Sequence, residues 1–415
     1  MNAEIIAIGS ELLTPFRQDT NSLYLTSRLN ELGVEVRFKT LVGDRRSDLT
    51  NAAQTALARS DIVIFMGGLG PTQDDLTREC VAEALGRPLR RNQEILAGLR
   101  ARFAARGWKM TANNEQQADV IEGAEALPNS RGSAPGQFVH VKDTGGEAIV
   151  ILLPGPPHEL KAMFEEECLY RLRRLTPPNH IATRLLKIAM IGESAADSRA
   201  AAIYKPRSDV ETTILAGTPG EVQLHLTARA GSQEEAQKRV DSLAAALEDE
   251  FEDAMFSTQG ETLEQIAGYY LQMRGATLAV AESCTGGLLA ERITSVPGSS
   301  RYFLGGAIVY DNSLKTALAD VPPLLIQEHG AVSAQVATAL AEGIRKRCKA
   351  TVGVGITGVA GPTGGTEQKP VGLVYVAVSD ESKTDVVERK YPGDRDRIRH
   401  WASQQALDMV RRRLM

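Results

Sequence analysis

Several things are scarce in this 415-residue chain, and each scarcity excludes something. No uninterrupted apolar run approaches the ~20 residues that span a bilayer, so no membrane-crossing helix is expected. The four cysteines, Cys80, Cys168, Cys284 and Cys348, form no CxxC pair, which argues against a disulfide framework or a zinc site. Basic residues are not in excess: 47 Lys and Arg against 52 Asp and Glu give a net charge of −5. No overall positive field therefore draws the chain to nucleic acid or an anionic membrane. The first residues, Met1 to Ile8, lack the basic flank of a signal peptide and read as a strand. These features together imply a reduced, cytoplasmic protein. At this length two or three domains are expected, each able to bury its own core.

Three segments follow from the periodicity. In the first, residues 1–175, short apolar strands (Glu4–Ile8, Glu35–Val42, Ile62–Met66, Ala148–Leu153) alternate with helical patterns. That alternation predicts an α/β layer structure with a sheet covered on both faces. Thr176-Pro177-Pro178-Asn179 is a linker signal. Residues 176–258 read as a small α+β module in which Val222, Leu224 and Leu226 face a helix over Gln233–Glu252. Residues 259–415 form a second α/β pattern, with strands at Thr277–Ala281, Gly305–Tyr310, Thr351–Thr357, Gly372–Val378 and Thr384–Tyr391. The fold class is thus two parallel or mixed-sheet α/β domains joined by a smaller connector.

The most informative stretch is Ala281-Glu282-Ser283-Cys284-Thr285-Gly286-Gly287, set between an apolar strand and a helical pattern. A strand breaking through small residues into a helix start presents hydroxyls and backbone N–H groups to one point. Such a point suits a nucleophile with an oxyanion hole, or a phosphate cradle. Further runs fall at strand ends in the same segment: Pro297-Gly298-Ser299-Ser300, Val309-Tyr310-Asp311-Asn312, and Gly355-Ile356-Thr357-Gly358 running on to Gly361, Gly364 and Gly365. No histidine lies within them, so a serine nucleophile would need another base. Lys315, with its pKa lowered by burial, can serve, and Tyr310 can orient it or relay the proton. Taken singly, such residues are most often a turn serine, a core tyrosine and a surface lysine.

In the first segment, Gly67-Gly68-Leu69-Gly70-Pro71-Thr72-Gln73-Asp74-Asp75 follows a buried strand, and Gly9-Ser10-Glu11 and Asp19-Thr20-Asn21 lie at other element ends. Glycines admit phosphate closely, and Asp74, Asp75 and Glu11 are hard oxygen donors suited to Mg²⁺ or a similar divalent ion. Helix capping by one of the acids is the plain alternative.

These runs carry a family resemblance. Gly-Gly-Leu-Gly-Pro-Thr-x-Asp-Asp-Leu-Thr, with Gly-Ser-Glu-Leu-Leu and Asp-Thr-Asn-Ser, resembles the molybdopterin-binding-like half of the competence/damage-inducible CinA family. Glu-Ser-Cys-Thr-Gly-Gly, Pro-Gly-Ser-Ser, Val-Tyr-Asp-Asn-x-x-Lys and Gly-x-Thr-Gly-x-Ala-Gly-Pro-x-Gly-Gly are similar to its nicotinamide mononucleotide (NMN) amidohydrolase half. The resemblance implies NMN deamidation in the C-terminal half with no cofactor, and metal-dependent ADP-ribose hydrolysis in the N-terminal half. It also implies a homodimer and a KH-like connector.

By resemblance Ser300 and Lys315 form the catalytic pair, assisted by Tyr310 and Ser283, though the attacking serine stays open. Thr285, Gly286, Gly287, Thr357, Gly361, Gly364, Gly365 and Arg395 would bind the nucleotide. Gly68, Thr72, Asn21 and Ser10 would bind the N-terminal substrate, and Asp74, Asp75 and Glu11 the metal. Two departures stand out: Pro15 replaces a usual glycine, and Gln116 replaces a common lysine. Gly217-Thr218-Pro219-Gly220 fits the GXXG of RNA-binding KH modules formally, but no basic or aromatic residues flank it closely, and no nucleic acid is expected.

Overall fold

The computed structural model describes residues 1–143, 146–176 and 180–415. Pro177, Pro178 and Asn179 of the linker signal lie outside the described residues. The chain divides into two compact units: 1–181 with 229–236, and 182–228 with 237–415.

The first unit is built on a six-stranded mixed sheet. Its strands are β1 (Asn2–Ile8), β2 (Glu35–Val42), β3 (Ile62–Met66), β6 (Glu125–Leu127), β7 (Gly136–Asp143) and β8 (Gly146–Leu153), in the order β2-β1-β3-β8-β7-β6. A separate two-stranded ribbon pairs β4 (Leu89–Arg91) with β5 (Asp119–Ile121). The four strands β2, β1, β3 and β8 are mutually parallel, and β7 and β6 extend them antiparallel. Strands buried on both faces need apolar side chains on both, which is why β3 reads Ile-Val-Ile-Phe-Met without alternation. Ile5, Ile64 and Ile151 enter the core on one side, and Ile6, Phe65 and Leu152 the core on the other.

The connector sheet comprises β9 (His180–Ala189), β10 (Val210–Ala216), β11 (Glu221–Ala230) and β12 (Met255–Ser257), in the order β10-β11-β9-β12. Most of it belongs to the second unit rather than standing alone. Ala189 and Phe256 enter the core of the C-terminal sheet, and Arg411 donates to the Asp253 carbonyl. Gly217–Gly220 is the turn between β10 and β11. A Cβ at Gly220 would stand 2.9 Å from Gln404 and 3.1 Å from Trp401, so that glycine (φ +89°) lets the turn pack on the last helix.

The C-terminal sheet has five strands: β13 (Leu278–Glu282), β14 (Phe303–Ile308), β15 (Val352–Gly358), β16 (Leu373–Ser379) and β17 (Thr384–Lys390), in the order β14-β13-β15-β16-β17. Here β14, β13 and β15 are parallel, while β16 and β17 are antiparallel additions. Helix Ala334–Cys348 lies on one face, directly against β15. A Cβ at Gly353 or Gly355 would approach the helix carbonyls of Ala341 or Ala337 to 2.2 and 2.4 Å, so only glycine permits this closeness. Among the described residues no helix is long and apolar enough to cross a membrane.

Candidate active site

In a sheet of this kind, ligands meet the chain at the carboxyl ends of the parallel strands. Strand β13, the middle one of the three parallel strands, is fully buried and ends in Glu282. Beyond it, the Ser283 amide donates to the Ile356 carbonyl of β15 at 3.0 Å, which fixes the start of the turn. Gly286 (φ +59°) and Gly287 (φ +96°) reverse the chain into helix Leu288–Thr294.

The turn's backbone donors can be accounted for one by one. The Gly286 and Leu288 amides bond the Ser283 and Thr285 carbonyls at 3.1 and 3.3 Å. Those of Gly287, Leu289 and Ala290 bond the Glu282 carboxylate at 3.0, 3.0 and 2.8 Å. From Ser283 to Ala290, only the Cys284 and Thr285 amides have no acceptor among the described residues. The phosphate-cradle reading of this stretch is thereby corrected. The helix start already holds an anion, the Glu282 side chain, which is buried to 1% exposure.

Lys315 is only 2% exposed, unlike the solvated helix lysine its position would suggest. Its Nζ donates to the carbonyls of Val309 (2.9 Å) and Tyr310 (3.2 Å). Burial lowers its pKa from the usual lysine range, and the nearby Asp311 carboxylate only partly offsets this. Val309 ties this amine to Ser283: its amide bonds the Glu282 carbonyl at 2.8 Å, while its own carbonyl receives Lys315.

Arg395 closes another side, with Nη2 donating to the Tyr310 hydroxyl (2.9 Å) and Nη1 to the Gly361 carbonyl (2.8 Å). It thus joins the 361–365 turn to Tyr310, which is itself exposed. Thr357 is buried and spends its hydroxyl on the Ala331 carbonyl at 2.7 Å, so it braces a loop. Thr285 is likewise buried, and its carbonyl takes the Arg399 Nε–H at 3.0 Å. Gly364 (φ +84°) has open space beside it, and Gly365 packs on Val371. Burial pushes the Cys284 thiol up to about 12, which leaves it protonated and inert.

Ser300 is not brought to this point. It sits, exposed, in the turn Ser299–Arg301 before β14, and the next residue, Tyr302, accepts the Leu278 amide at the start of β13. The six residues of β14 then run parallel to β13 before Tyr310 is reached. At ~3.3 Å per residue, roughly 20 Å of strand separates Ser300 from the Lys315 end. The Ser300–Lys315 pairing expected from sequence therefore fails within one chain, whereas Ser283 follows Glu282, whose carbonyl takes the amide of Val309, the residue whose carbonyl receives Lys315. Glu282, Arg399 and Lys369, which pins the His329 carbonyl at 2.9 Å, were given no role by sequence reasoning. Glu282 stood in the sequence only as the first residue of the Glu-Ser-Cys-Thr-Gly-Gly run.

In the first unit, the carboxyl ends of β1, β3 and β8 open on a cavity of about 630 Å³. Glu11, Asn21, Gly68, Asp74 and Asp75 line it. Arg78, fully buried, holds the Gly67–Gly70 loop by its carbonyls, donating to Leu69 at 2.7 Å and Gly70 at 3.0 Å. Gln116 donates to the Thr72 carbonyl at 3.2 Å, so the residue standing for a lysine braces this loop as well. Ser10 and Thr72 are beside the cavity rather than among its lining residues. The Ser10 amide bonds Asp44 at 2.8 Å and the Thr72 amide bonds Asp75 at 2.9 Å. Asn21 donates to the Gly155 carbonyl at 2.8 Å.

The three expected metal ligands do not form a cage. The Asp75 carboxylate closes its own turn onto Thr72, and that of Glu11 folds over Gly9, where a Cβ would meet it at 2.5 Å. Among the described residues no three His, Cys, Asp or Glu side chains gather as a metal-holding group. The acids fit a resident ion poorly.

Both halves are thus open mixed α/β sheets with polar and glycine-rich turns collected at the carboxyl ends of their parallel strands. Residues 4–174 match the family described as "Probable molybdopterin binding domain", and residues 260–414 match "CinA C-terminal domain". The chain is 65% identical over 415 residues to a "CinA-like protein" of Koribacter versatilis (strain Ellin345), covering all of both chains. It is 43% identical to a "Putative competence-damage inducible protein" of Symbiobacterium thermophilum, covering all of this chain and 99% of that one. A solved structure, the competence/damage inducible protein CihA from Agrobacterium tumefaciens, is 35% identical with a TM-score of 0.35, spanning 36% of this chain and 94% of that one. The chain belongs to the CinA family.

Proposed function

We propose that the C-terminal half is a serine amidohydrolase acting on NMN, releasing nicotinic acid mononucleotide and ammonia. The observation that carries this reading is a buried Lys315 amine bonded to the Val309 carbonyl at the same end of the sheet as Ser283, in a turn where the Cys284 and Thr285 amides have no acceptor among the described residues. In this scheme the neutral amine of Lys315 takes the proton from the Ser283 hydroxyl as its oxygen attacks the carboxamide carbon. The Cys284 and Thr285 amides receive the oxyanion, a type of contribution worth about 10²–10³-fold. Lys315 returns the proton to the departing nitrogen, which leaves as ammonia, and an acyl ester remains on Ser283. Water, deprotonated by the same amine, then attacks that ester and regenerates the serine. Tyr310, held by Arg395, would flank the substrate, and Arg395 would meet its phosphate.

Replacing Arg395 by Gln should raise KM for NMN about tenfold or more, corresponding to ~1.4 kcal/mol of lost charge-assisted bonding. Steady-state ammonia release over a range of NMN concentrations checks this, and an unchanged KM would remove Arg395 from the binding site.

For the N-terminal half we propose ADP-ribose pyrophosphate cleavage in the 630 Å³ cavity. Since its acids form no cage, any divalent ion would arrive with the phosphates, as Mg²⁺ commonly does. Hydrolysis of ADP-ribose by the full chain should appear with added Mg²⁺ and vanish with EDTA. The match to a molybdopterin-binding family favours a second reading, pterin binding without hydrolysis. Tight pterin binding with no cleavage under either condition would establish it. Both proposed substrates are pyridine-nucleotide products, so we place the protein in cytoplasmic nucleotide salvage; its four cysteines are all free.

A further inference from the structure

The amidase scheme leaves unused the most enclosed ionisable group at the site. Glu282 ends β13 with 1% exposure, and its two carboxylate oxygens accept three amides of the segment that follows: Gly287 and Leu289 on Oε2, Ala290 on Oε1. Its backbone is held as firmly, since its carbonyl accepts the Val309 amide at 2.8 Å and it pairs within the sheet with Ile356 and Ile308. Ser283, Cys284 and Thr285 are therefore clamped from both ends. At one end is the sheet; at the other is a helix start fastened to the side chain of the residue just before the serine.

We infer that Glu282 is a positioning residue for this site, fixing the Ser283–Thr285 backbone so that the serine faces Lys315 and the two free amides share one target. This rests on the amidase reading of Ser283. Two physical points make the carboxylate specific. As an ionised acceptor with no donor of its own, it satisfies three N–H groups that would otherwise be buried unpaired. By filling the helix start it also leaves Cys284 and Thr285 as the turn's only unpaired backbone donors, so an oxyanion is directed to the position beside the nucleophile. Glutamine has nearly the same shape but turns an NH₂ toward an amide that needs an acceptor. Aspartate keeps the charge on a shorter arm.

The test compares full-length wild type, Glu282→Gln and Glu282→Asp. It measures ammonia release from NMN, thermal melting, and backbone hydrogen exchange of peptides covering 283–290. The expected result for Glu282→Gln is a kcat lower by about 10²-fold with KM within about twofold, because a misplaced reacting group affects the chemical step. Exchange should quicken in 283–290 and stay unchanged elsewhere, and Glu282→Asp should recover part of the lost kcat. An unchanged kcat in Glu282→Gln would overturn the inference. So would a loss accompanied by a lower melting temperature and faster exchange throughout the C-terminal sheet, which marks a merely structural residue. Wild type that releases no ammonia would instead sink the amidase reading. The exchange measurement then decides alone, and unquickened 283–290 amides in Glu282→Gln would overturn the clamp itself.

Discussion

Replacing Lys315 by Met should lower ammonia release from NMN by roughly 10²–10⁴-fold, the range that a positioned general base supplies. Methionine keeps the buried volume and removes only the amine. Lys315→Arg should fail equally, because a guanidinium cannot give up its proton to act as the base. The need for a neutral amine also sets the pH dependence. Burial lowers the folded-state pKa, and the active form is the neutral amine. kcat/KM should therefore climb with pH and level off below the ordinary lysine value of about 10.4. Stability moves in the same direction. Between the lowered folded pKa and the ordinary unfolded one, the unfolded chain binds more protons, so folding gains stability as pH rises and loses it as pH falls through the folded value. A pH–rate profile and melting curves over the same range check both signs. A profile that is flat over that range would show that Lys315 is not the base.

Ser283→Ala should abolish turnover, with a loss of at least about 10³-fold, as removal of a nucleophile commonly does. Ser300→Ala should stay within a few-fold of wild type. The contrast is large because the two serines stand at opposite ends of β14 and only one shares an end with Lys315. Both variants are small changes at turn positions, so matched melting temperatures would isolate chemistry from folding. The reverse pattern, Ser300 essential and Ser283 dispensable, would require the nucleophile to reach Lys315 from a second chain.

Most elements were legible because their patterns are local. Continuous apolar runs marked β1, β3 and β13, and the helix expected over Gln233–Glu252 is found at Gln233–Phe251. Strand β7 and the helix Glu193–Tyr204 went unread. The helix is Ala-rich, with almost no apolar asymmetry, and β7 mixes polar residues with apolar ones because it lies on the antiparallel side of its sheet. Site residues divide in the same way. Ser283 with its glycines, Tyr310 and Lys315 were singled out by type and position, and Arg395 through the family resemblance. Their partners were not, since a hydrogen bond between residues such as Arg395 and Tyr310, 85 positions apart, leaves no local trace.

The sequence by itself determined the two α/β halves, the lack of a membrane-crossing helix and the small-residue turn at Ala281–Gly287, because side-chain period and turn chemistry act over a few residues. Only the tertiary structure decided which serine shares a strand end with the lysine. Two residues 15 positions apart could lie side by side or a strand's length apart, and the parallel register of β13 with β14 chose the second for Ser300 and Lys315. It also decided that Lys315 is buried rather than solvated, and that the anion at the helix start is the protein's own Glu282. Burial and the satisfaction of backbone donors are properties of the packed whole, which no spacing in the chain records.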